Sequence, residues 1–248
     1  MVQVPQRTAL SGPALIRLLA RLTDLDVPES SQSLSDRLSQ WLGWTDAIAL
    51  SAALAGSTPA VNASVRASGS AEDKECVRVR SSLASMITSD PTFAPARQRR
   101  FAQAQRETAL VETTSDYAVF RQRYLSLQQS METGVGNLRG HLRTLLAART
   151  PASARLAVVD AAMERALGPR ERTLLAAVPE LLGGHFERLH RADQAARANA
   201  EAQGETVTAT PGGAWLDVFR HDARSVLLAE LDVRFQPAEG LLAALRAS

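Results

Sequence analysis

Apolar residues recur along this chain at spacings of three and four, and that rhythm predicts helices over most of its length. Ser11-Gly12-Pro13 predicts a first helix start, with a hydroxyl for a free backbone N–H and a proline in the first turn. Behind it Leu15, Ile16, Leu18, Leu19, Leu22 and Leu25 gather on one face, leaving Arg17, Arg21 and Asp24 to water. Val27-Pro28 should end this helix, because proline pushes the residue before it out of helical backbone. A second start at Ser33 leads into Leu34, Leu38, Trp41, Leu42, Thr45, Ile48, Ala49 and Ala52, one stripe on one helix. The two helices are expected to close on each other as an antiparallel hairpin over residues 1–55. Residues 56–71, GSTPAVNASVRASGSA, are small, polar and aperiodic, the character of a flexible linker.

Residues 72–248 read as a helical bundle. Glu72, Asp73 and Glu75 suit the positive end of a helix whose inner face would hold Val79, Leu83, Met86 and Ile87, with Ser89-Asp90-Pro91 as its stop. The most regular stretch lies near 116–149, where Tyr117, Phe120, Tyr124, Leu127, Met131, Val135, Leu138, Leu142 and Leu145 form a heptad seam with one extra residue. Gly134, Gly136 and Gly140 argue for a bend in it. Pro151 follows a short connection, so the seam is expected to pack within the chain, against a second long helix near 152–200. Gly168-Pro169 is expected to end or kink that helix, and Pro179 to bend its axis. A C-terminal helix near 212–235 buries Trp215, Phe219, Val226, Leu227 and Leu231, and Gln236-Pro237 should hand over to a short closing helix. No stretch reads as a strand. The expected fold is all-α, with helical hairpins and a long kinked helix packed as an elongated multi-helix bundle.

Composition strengthens this reading, since 43 Ala and 33 Leu stand against 11 aromatic residues in a chain of 248. Cys76 is the single cysteine, which excludes a disulfide framework and a cysteine-built zinc site. No run of 18 apolar residues occurs, and MVQVPQRTAL has neither the basic nor the apolar region of a signal peptide. The expectation is a soluble protein of the reducing cytoplasm. Of the 28 basic residues 27 are arginine, and Lys74 precedes Glu75, so a P-loop is excluded. Charge is uneven: residues 97–149 sum to +5, whereas the stretches before and after sum to −1 and −2.

Candidate chemistry is sparse. Glu187 and His190 share a helical face as in a di-iron bundle, but no other histidine has a glutamate three residues before it. His185 and His190 lie roughly 140° apart around a helix and cannot share a metal unaided. Gly134, Gly136 and Gly140 miss the spacing and the preceding strand of a dinucleotide loop. The expectation is therefore a protein that is not an enzyme, with no metal and no cofactor. Candidate partner contacts are Trp44, at the margin of its stripe, and the arginines Arg97, Arg99, Arg100, Arg121, Arg123, Arg139 and Arg143. Arg121, Arg139 and Arg143 flank the seam on one side, as they would on a helix pairing with acidic helices, while Arg123 sits on the other.

The segments 11–54, 117–132, 156–182 and 219–246 together resemble an uncharacterised family of helical proteobacterial proteins classed as a domain of unknown function. The resemblance brings no catalytic motif. It implies genomic company with stator-like proton-channel genes and genes for OmpA-like peptidoglycan-binding proteins. The first expected function is thus a non-enzymatic cytoplasmic helical adaptor that offers its seam and its Arg-flanked helices to a protein partner or to its own copy, with a peripheral link to an inner-membrane complex and no insertion into the membrane. The alternative is a nucleic-acid-binding module using the basic segment 97–149, with net +2 arguing against it.

Overall fold

The computed structural model describes residues 13–24, 32–55, 69–94, 116–203 and 214–247. About 90% of these are helical and none forms a strand, so the fold is all-α. Eight helices occur among them: α1 (Ala14–Thr23), α2 (Leu34–Trp41), α3 (Trp44–Ala55), α4 (Gly69–Thr88), α5 (Tyr117–Ala147), α6 (Pro151–Ala176), α7 (Val178–Ala202) and α8 (Ala214–Ala247). Of the expected linker 56–71, residues 56–68 lie outside the described residues, and Gly69 to Ala71 already belong to α4.

Local chemistry sets most of the boundaries. Ser33 and Asp36 form a reciprocal capping box at the start of α2. Asp116 caps α5, and Thr150 caps α6 with Pro151 in its first turn. The stripe expected on one helix from Ser33 to Ala52 is divided between two. Leu42 turns to extended backbone, and the Asp46 carboxylate accepts the Gly43 N–H at 3.1 Å, so a new helix begins at Trp44. The expected hairpin does not close on itself either. Among the described residues α1 docks on α7 and α8, whereas α3 docks on α6.

The core is built around α8. Phe219, Ala223, Val226, Leu227, Leu231, Phe235, Ala238, Leu241 and Leu245 are buried along it, and α5, α4, α7, α1 and α6 all pack on it. Its helix runs unbroken through Pro237, correcting the expected end near 235. Proline removes one backbone hydrogen bond, and the buried leucines on both sides hold the axis across the gap. The seam of α5 is buried within the chain as expected, against α8 and α4 as well as α6 and α7. Its last buried residue is Leu146 in place of Leu145, which is half-buried. All three glycines sit inside one continuous helix of 31 residues. Gly134 serves a close approach, since a Cβ there would lie 3.3 Å from Leu83 of α4. On α4 the inner face is Glu72, Cys76, Leu83 and Ile87, with Val79 half-buried and Met86 turned outward. α6 passes through Pro169, and the long helical stretch from Pro151 onward bends at Ala177, where α7 takes over with Pro179 in its first turn.

Candidate functional site

Arginines come first because the sequence singled them out. Arg97, Arg99 and Arg100 lie outside the described residues. Arg121 is exposed in the first turns of α5. Arg123 donates to Asp90, a carboxylate buried at the end of α4. Arg139 forks onto Asp160 of α6 with contacts of 2.8 and 2.6 Å, and Arg143 reaches the same carboxylate at 3.0 Å and Glu164 beside it. The acidic helix that these seam-flanking arginines suggested is therefore α6 of the same chain. Arg123, Arg139 and Arg143, expected as partner contacts, are committed inside the fold. The Asp160 and Glu164 charges, with hydrogen bonds from the guanidinium, keep the Arg143 pKa raised, although burial opposes that.

A buried polar cluster that sequence reasoning did not find sits behind them. Glu230, in the middle of α8, is fully enclosed. Its carboxylate accepts the Tyr124 hydroxyl at 2.9 Å, the Gln128 Nε2 at 3.0 Å and the Arg234 Nε at 2.9 Å. Gln128 also donates to the Leu175 carbonyl, tying α5 to the end of α6. Burial, then the Glu230 charge, push the Tyr124 hydroxyl well above the usual tyrosine range. Every oxygen of the carboxylate is satisfied, so the cluster holds α5, α6 and α8 together and has no open position for a substrate. Its signal in the sequence was the Glu230–Arg234 spacing of four, which is indistinguishable from an exposed ion pair until the helix is known to be central.

His185 and His190 are likewise packed into the fold. His185 is buried against Phe219 and meets Asp222 at 2.9 Å, while His190 stacks on Trp215 at 5.0 Å. Glu187, its former candidate co-ligand, is exposed beside Arg191. No group of three metal-ligating side chains occurs among the described residues. Burial also pushes the Cys76 thiol up, away from the thiolate form that attacks electrophiles.

An apolar face also stands open on α3. Ala53 is buried and Ala49 half-buried on the side that docks on α6, while Trp44 is 81%, Leu54 57% and Ile48 53% exposed. At 100° per residue Leu54, Ala47, Ser51, Trp44, Ala55 and Ile48 fall on the opposite side. This helix turns Ala49 and Ala53 toward α6 and presents Trp44, Ile48 and Leu54 to solvent. A shallow apolar hollow lies along it, lined by Leu42, Ala47, Leu50, Ser51, Leu54 and Ala55.

Residues 1–247 match a family model described as protein of unknown function (DUF3348). The chain belongs to this family. The match runs through 56–71 and 97–106, so in this DUF3348 protein those stretches are part of the family's own extent. No curated protein and no solved structure matches the DUF3348 chain. No helix among its described residues is long and apolar enough to cross a membrane.

Proposed function

We propose that this DUF3348 protein is a non-catalytic helical adaptor whose docking surface is the outer face of α3. One observation carries the reading: Trp44, Ile48 and Leu54 stand on the solvent side of a helix that has Asp46 as its single charged residue. A helix apolar all round belongs between two layers, and here one layer is present. The partner that fits is the apolar face of an amphipathic helix on another protein, laid along the hollow beside α3 with Trp44 as its anchor. The genomic company implied by the resemblance makes the cytoplasmic side of a proton-channel and OmpA-like assembly the first place to seek that partner.

The test is co-purification from the native bacterium of the full chain and of its Trp44→Ser/Ile48→Ser variant. Because both side chains are exposed, the variant should keep its unfolding midpoint, with each change within about 0.5 kcal/mol. It should lose a partner that the wild type retains at high salt, as apolar contacts are not screened. An unchanged set of partners, or a variant that unfolds, overturns the proposal. So does a sub-micromolar complex with DNA or RNA at physiological salt that is lost on changing Arg97, Arg99 and Arg100 to Ala.

A further inference from the structure

α5 and α6 run antiparallel, and two ion pairs fix their register. Glu132 meets Arg172 at 3.2 Å, and seven residues further along α5 Arg139 faces Glu164 at 3.6 Å. That register sets Gly136 opposite Gly168. A Cβ at either glycine would meet nothing within 4 Å. Between the two charged gates lies a trough about 10 Å long, backed by Arg234 and Pro237 of α8, and the cleft has a volume of about 540 Å³. Small-molecule sites are of this size, with an apolar floor and a few polar groups at the rim. Here Val135, Met163 and Leu167 supply the apolar surface.

Most charges around the cleft are already paired, with Asp160 held between Arg139 and Arg143 and Glu230 on Arg234. Glu132 is taken by Arg172, Glu164 by Arg139 and Arg143, and Glu171 by Arg234 at 3.6 Å. Arg165, one turn before Gly168 and Pro169 on the same face of α6, lines the cleft with no ion pair among the described residues. Pro169 also has no N–H to return to the Arg165 carbonyl, so the helix is opened at this point.

We propose that this cleft binds a small organic carboxylate, its flat apolar body lying between Gly136 and Gly168 and its anionic group on the Arg165 guanidinium. Two facing glycines make a slot that admits a ring edge-on, and an arginine with no ion pair among the described residues makes the complement a monoanion. This site is independent of the α3 face.

The probe is 2-naphthoate, followed by backbone amide NMR of the full chain, with the neutral 2-naphthamide alongside. Saturable shifts are expected at Gly136 and Gly168, with the amide analogue binding about tenfold more weakly or worse. Arg165→Gln, an exposed change that leaves the fold alone, should weaken the carboxylate about tenfold while leaving the neutral analogue unchanged. Gly136→Leu should fill the slot and abolish both. No saturable shift up to the solubility of the probe, shifts centred on residues 44–54, or equal binding by wild type and Arg165→Gln would each overturn the assignment.

Discussion

Tyr117 reaches from the first turn of α5 to α7, where its hydroxyl donates to the Pro179 carbonyl and its ring lies against Gly183. A Cβ at Gly183 would stand 2.9 Å from the tyrosine ring, so Gly183→Ala should cost about 1–3 kcal/mol by overpacking. Gly136→Ala, with open space around its Cβ, should instead stabilise by about 1 kcal/mol through helix propensity. Urea unfolding of the two variants checks the opposite signs. Tyr117 and Tyr124 are the two tyrosines of the chain, and both are hard to ionise. Burial, opposed by Arg121 and aided by Glu180, pushes Tyr117 up to about 12 from an ordinary value of 10.0. A raised pKa means that the unfolded chain gives up the proton more easily. The stabilising contribution is whole below pH 10 and drains away as pH rises toward 12. Tyrosinate absorbance should therefore appear together with loss of helicity on alkaline titration; ionisation near pH 10 with helicity intact would contradict this. At Glu230 the expected cost of Glu230→Ala is about 3–5 kcal/mol, because Arg234 stays buried without its carboxylate. Glu230→Leu combined with Arg234→Leu should recover most of it, as a double-mutant cycle in urea will show.

At the scale of elements, what could be read from the sequence followed the strength of each amphipathic stripe. Phe120 through Leu142 were legible as buried because seven apolar residues fall on one face of α5 and charged ones on the others. Gln128 was missed there, since its burial depends on a carboxylate a hundred residues away. On α3 the same reading placed Ile48 inward, and it lies outward. That helix has apolar residues all round, so periodicity carries no direction, and the choice fell to backbone approach: α6 comes close where α3 offers Ala49 and Ala53. Pro237 misled in the other direction, because a helix-breaking propensity of about 3 kcal/mol is outweighed by the burial of Ala238, Leu241, Leu242 and Leu245 beyond it. Of the candidate contacts Trp44 stands in the open, while Arg139 and Arg143 are tied to α6 by groups that no local pattern announces. The α3 docking should be the thinner one. Amide exchange ought to be faster along α3 than along α8, and equal protection of the two would show that α3 is held by more than its alanine side.

Across the whole molecule the helices α1, α4, α5, α6 and α7 share one scaffold, and that scaffold is α8. The ribosome reaches α8 only after it has made all of them. At 5–20 residues per second, its 34 residues take about 2 to 7 s to add. Throughout that time the faces of α1, α4, α5 and α7 that pack on α8 stay uncovered, and they offer themselves to each other, to neighbouring polysomes or to a holdase. A stop codon ahead of Ala214 should therefore yield an aggregation-prone product rather than a shortened bundle. Supplying α8 in trans, as a separately expressed segment, should rescue its solubility. Sheltering the chain until α8 has emerged should raise its soluble yield, which co-expression with a holdase would measure.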